Sequence, residues 1–198
     1  MGKSLILEEL REHWPFALGA SIDAAILSGI LYNHATFASS IESLFEIFHP
    51  AHVLFSAAAT TAIYYKYRKS VIPGILIGVI GAILIGTLSD VLLPWVAGNL
   101  FSLHTHFHLP IFEEPLLIIG VGIVGAFVGI YWKIFNLSHS IHVFLSVFAS
   151  LFYLLAFSAA MGFWTILAIS LVVFFTVFIP CCISDIAFPL WFVKRSKK

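Results

Sequence analysis

Two histidines three residues apart, with a serine four residues further on, occur twice in this chain. The first set is His49, His52 and Ser56; the second is His139, His142 and Ser146. Each set precedes a distant Ser-Asp with a proline four residues after the aspartate: Ser89-Asp90 with Pro94, and Ser184-Asp185 with Pro189. Imidazoles at this spacing lie one turn apart on one helix face. With a carboxylate they can chelate a borderline metal ion. The candidate ligands are therefore His49, His52, Asp90, His139, His142 and Asp185, with Ser56, Ser89, Ser146 and Ser184 as accessory groups. Zn²⁺ suits neutral imidazoles and carboxylates best, and Ni²⁺, Co²⁺, Mn²⁺ and Fe²⁺ are also compatible. A single histidine pair is about as often a cap or an interhelical hydrogen bond. Two copies in the same order, at nearly equal separation, point to an internal duplication and favour function.

The prolines add a backbone argument. A helical proline removes the hydrogen bond to the carbonyl four residues back. Asp90 and Asp185 should each have an unpaired backbone carbonyl beside the carboxylate, in a broken helix of the kind that binds cations in transporters. The plainer alternative is a proline kink with the carboxylate reaching to lipid headgroups. Asp23 has no counterpart, because the aligned residue is Ile123. It is expected as a buried carboxylate near mid-membrane, carrying a proton or completing a central ion site. His104, His106 and His108 alternate, so in an extended segment they point to one side and could gather metal or cover the first site. Glu113 and Glu114 follow them. Cys181 and Cys182 are adjacent, one turn before Asp185, and could add a soft ligand.

The elements that hold these groups are apolar. Of 198 residues, 61% are hydrophobic and 10% charged, and mean hydropathy is +1.04. Such values lie outside the soluble globular range and imply membrane spans. Six are expected, at about 15–33, 50–66, 71–95, 115–133, 139–158 and 163–192. All ten basic residues then fall on one side: Lys3, Arg11, the Lys66–Lys69 turn, Lys133 and the tail from Lys194 to Lys198. The opposite loops near 34–48, 96–114 and 159–162 contain none, which sets both termini in the cytoplasm. The expected fold is an all-α, multi-pass integral membrane protein. Residues 1–14 form a cytoplasmic or interfacial segment, 15–97 a first repeat, 98–113 an outer His-rich loop, 114–193 a second repeat, and 194–198 a basic cytoplasmic tail. Three spans per repeat force the copies into opposite orientations, an architecture of secondary transporters. On straight helices the two His-Asp clusters would lie near opposite faces of the bilayer. Broken helices could bring them together; otherwise they form two sites in series.

The zero net charge says nothing about nucleic acid, and no basic stripe or aromatic-basic interleaving supports it, so no nucleic-acid partner is expected. No glycine-rich phosphate loop, Gly-x-Ser-x-Gly elbow or His-Glu-x-x-His motif is present. The expected function is secondary transport of a divalent transition-metal ion, with protons as coupling ion because they compete for the same ligands. The rival is a membrane metallohydrolase acting on a lipid or peptide, with Glu113 or Glu114 as general base. A scaffold with structural metals is a third option. Expected partners are the lipid bilayer, the metal ion, protons and a second copy in a homodimer.

Overall fold

The computed structural model describes residues 38–131, 135–157, 163–182 and 187–194, with scattered positions between 11 and 30. Within these ranges the side chains at 38, 39, 135–140, 163, 165–167, 178, 182 and 194 are outside the description. The fold is all-α, with no strand among the described residues. In chain order the helices are α1 (Ala38–Tyr67), α2 (Val71–Thr87), α3 (Leu93–Leu100), α4 (Pro110–Glu113), α5 (Pro115–Tyr131), α6 (Phe135–Phe157), α7 (Phe163–Cys182) and α8 (Phe188–Lys194). A π-helical turn, Leu88–Leu92, joins α2 to α3.

α1 is the centre of the bundle and packs against α6, α5 and α2. It starts earlier than expected, because the expected outer loop near 34–48 is helical from Ala38 onward. That stretch has an internal reason to be helical: Ile41, Phe45 and His49 recur every four residues and are all buried. His49 is therefore well inside a 30-residue helix rather than at its start. α1 and α6 run antiparallel, as their ring contacts show: Phe45 meets Tyr153, Phe48 meets Phe148 and Phe152, and His52 meets His142.

α2 and α5 are packed with their small residues inward. On α2 the buried positions are Gly74, Gly78, Gly81, Ala82 and Gly86, while Ile72, Leu76, Ile80 and Leu84 are exposed. On α5, Gly122, Gly125, Ala126 and Gly129 are buried, while Leu116, Val124 and Phe127 are exposed. At Gly125 and Gly129 an added Cβ would collide with the Leu54 and Ala58 carbonyls of α1. Only glycine lets these two backbones approach so closely. The segment Val71–Leu100, 30 residues long, is long and apolar enough to cross a membrane by length and composition. It is the one such helix among the described residues, and Pro115–Tyr131, Ile141–Phe157 and Ala168–Cys181 are shorter apolar helices.

Candidate metal centre at the crossing of α1 and α6

Proline 94 does not break its helix. The helix runs on through the π turn, where the Leu93 N–H bonds the Leu88 carbonyl five residues back. The inserted residue shifts the register, so Pro94, with no N–H, now falls opposite Ser89 rather than Asp90. The Ser89 carbonyl therefore lacks a helical N–H partner, and the Ser150 hydroxyl of α6 donates to it at 3.0 Å. This corrects the expectation of a helix broken at Asp90, since the chain stays helical through the π turn into α3. The π turn also presents Ser89 and Asp90 to the interior, where both are fully buried.

There the Asp90 carboxylate is surrounded by donors. Its Oδ2 lies 2.9 Å from His49 Nδ1 and 2.7 Å from His52 Nδ1. A carboxylate accepts, so both imidazoles carry their proton on Nδ1. Its Oδ1 accepts from Ser146 at 2.6 Å and lies 2.8 Å from the Ser89 hydroxyl. Ser89 has a second acceptor, the Gly86 carbonyl at 3.2 Å, and Ser146 also lies 3.2 Å from Ser89 Oγ. A buried carboxylate is costly unless hydrogen-bonded. Here four groups from three elements, α1, the π turn and α6, meet that cost with charge-assisted bonds.

Part of the second set, His142 and Ser146, thus meets the first. His52 and His142 stack with ring centroids 5.5 Å apart and 10° between planes. Ser146, from the second copy, bonds Asp90 of the first. The antiparallel crossing of α1 and α6 makes this meeting, rather than a break in either helix. Donor atoms of His52, His142 and Cys181 all lie within 4.8 Å of one another, and all three residues are buried. Ser56, one turn beyond His52 on α1, is also buried. Ser184 and Asp185 lie outside the described residues, as do the side chains of His139 and Cys182.

The three histidines of the 104–108 segment separate. His104 is exposed, with a positive φ of 51° that ends the expected alternation, and His106 is exposed as well. His106 is held by its backbone, its N–H bonding the Phe157 carbonyl and its carbonyl accepting from Tyr153. Only His108 turns inward. It stacks on Phe157 at 4.5 Å and pairs through Nδ1 with Glu113 at 3.0 Å. With Glu46, Pro50, Glu113 and Glu114 it lines an open cavity of about 170 Å³. Phe45, fully buried, stacks on His49 and also meets His108 edge-on at 5.7 Å. Asp23 is exposed where a buried carboxylate was expected; among the described residues of that stretch Ser21, two positions earlier, is buried.

Sequence reasoning passed over three of these residues, Ser150, Glu46 and Phe45. Ser150 stands one turn beyond Ser146, and the offset of 90 between the copies (139 minus 49) carries it back to Thr60, also a buried hydroxyl. That hydroxyl stripe was a legible signal. Glu46, one turn before Pro50, was legible too, since Pro50 has no N–H for the Glu46 carbonyl. Phe45 and the coupling of Pro94 to Ser89 had no signal in a chain so rich in phenylalanine. Comparison with protein-family models, with curated proteins and with solved structures returns no match for this chain.

Proposed function

We propose that the protein is a small secondary transporter of a divalent transition-metal cation, Zn²⁺ first. It would have six membrane spans arranged as two inverted three-helix repeats, with both termini in the cytoplasm. The observation that carries this proposal is the buried carboxylate–imidazole–hydroxyl cluster at the α1–α6 crossing, to which both sequence copies contribute. Ionisable groups inside an apolar bundle are costly and mark ion pathways. A site shared between repeats is the one that rocking of one repeat against the other would expose alternately. The packing supports a lipid setting. Glycines face inward and leucines and isoleucines outward on α2, and only 33% of the apolar window of Val71–Leu100 is buried. A helix in the core of a soluble protein would be mostly buried.

Within this proposal Asp90 orients the histidines. Both its oxygens are engaged, and a carboxylate that receives an imidazole N–H fixes the tautomer and raises the basicity of the other nitrogen. The hydrolase alternative needs Glu113 or Glu114 within reach of the buried cluster, and Phe45 stands between His49 and His108. That favours transport, with the acidic cavity around His108 as a cation vestibule. The test is uptake by proteoliposomes holding the purified full-length chain and an entrapped ion indicator, with and without a proton gradient. Zn²⁺ should enter faster than into protein-free vesicles, and Asp90→Asn should remove most of the difference. Equal rates in protein-free and native vesicles for Zn²⁺, Co²⁺, Ni²⁺, Mn²⁺ and Fe²⁺ would end the proposal.

A further inference from the structure

We infer that the ion is held at one central site by His52, His142 and Cys181, and that the cargo is therefore a thiophilic cation. This rests on the transport proposal and narrows its ligand set. The three residues come from α1, α6 and α7, and their donor atoms lie within 4.8 Å of one another. Zinc bonds of about 2.0–2.1 Å to nitrogen and about 2.3 Å to sulfur place tetrahedral donors roughly 3.3–3.6 Å apart. The three groups are thus within about 1.5 Å of an ion's geometry, a distance that side-chain rotation covers.

The hydrogen bonds fit this assignment. His52 gives its Nδ1 proton to Asp90 at 2.7 Å, so ligation through its other nitrogen, Nε2, leaves that bond intact. The arrangement is then carboxylate, imidazole, metal in sequence, the usual order around bound zinc. His49 makes the same bond to the same oxygen and holds the carboxylate in place. Charge balances locally as well. One thiolate and one carboxylate match a divalent cation, which matters in a buried site. Three protein ligands leave a fourth position open, and a transported ion must be able to leave.

The cysteine decides the class of cargo. Thiolate with imidazole selects Zn²⁺, Co²⁺ or Cu⁺, whereas Mg²⁺, Ca²⁺ and Mn²⁺ prefer oxygen ligands. The duplicated motif alone, all nitrogen and oxygen, cannot make that distinction. Cys181 is also asymmetric: the residue in the corresponding turn of the first copy, four before Asp90, is Gly86, which lies against His52. One mixed site is expected, not two equivalent ones.

The test is X-ray absorption at the zinc edge on the purified full-length protein loaded with Zn²⁺, with metal content measured in parallel. The expected result is one ion per chain with one sulfur neighbour at about 2.3 Å. Loaded with Co²⁺ instead, the protein should show a thiolate-to-cobalt charge-transfer band that Cys181→Ser abolishes and Cys182→Ser retains. A shell of nitrogen and oxygen only, two ions per chain, or a band lost with Cys182→Ser instead would each overturn the site. The two proposals fail separately. Zn²⁺ flux without a sulfur neighbour keeps transport and removes this site. A sulfur neighbour without flux keeps the site and removes transport.

Discussion

Replacing Asp90 should separate two effects that a single variant would merge. In Asp90→Ala the N–H groups of His49 and His52 lose the acceptor that binds them at 2.9 and 2.7 Å. Ser89 and Ser146 lose less, since each has another oxygen at 3.2 Å. An unsatisfied buried donor costs about 1–3 kcal/mol, so two cost roughly 4 kcal/mol. In Asp90→Asn the side-chain oxygen can still accept from both imidazoles, while the amide faces the serine hydroxyls, which turn to accept. Only charge assistance is lost, about 1 kcal/mol for each histidine bond and so roughly 2 kcal/mol. For a chain of this size about 1 kcal/mol moves Tm by about 2–4 °C. Asp90→Ala should therefore lower Tm by roughly 8–16 °C and Asp90→Asn by roughly 4–8 °C, read from thermal unfolding in one detergent. Metal uptake should fall in both, because neither residue holds the imidazoles as a carboxylate does. An Asp90→Ala protein as stable as Asp90→Asn would refute the geometry, since the two N–H groups would then not depend on this carboxylate.

Gly125→Ala and Gly129→Ala should each cost about 1–3 kcal/mol, because the new Cβ meets the Leu54 or Ala58 carbonyl of α1. Gly120→Ala, with nothing within 4 Å, should be neutral or gain up to about 1 kcal/mol of helix propensity. Equal Tm values for Gly125→Ala and Gly120→Ala would remove the close α1–α5 contact. Topology can be read by single cysteines at Ser102 and Arg68, both exposed, in a background without Cys181 and Cys182. An impermeant maleimide outside whole cells should label position 102 alone, and position 68 only after the membrane is opened. Labelling of both from outside would exclude the six-span arrangement with its termini in the cytoplasm.

Much of this protein was determined by sequence alone. Its helical character, its apolar faces and the small-residue stripes of α2 and α5 follow from composition and periodicity. The residues of the buried cluster were also legible, because His, Asp and Ser stand out in an apolar chain and repeat in order: His49, His52, Asp90, His142 and Ser146 all take part in it. What periodicity cannot give is how far one helix slides along another. That is set by where backbones can touch, at Gly125 and Gly129 against α1, and by the antiparallel fit of Phe45, Phe48 and His52 against α6. Those contacts decide that His52 meets His142 instead of lying far from it. The shift at the π turn is of the same kind. Pro94 announces a missing hydrogen bond, but which carbonyl loses it depends on a one-residue change of register, and Ser150, 61 residues from Ser89 along the chain, supplies the replacement. Residue types determined which groups could do chemistry; tertiary packing decided which of them touch.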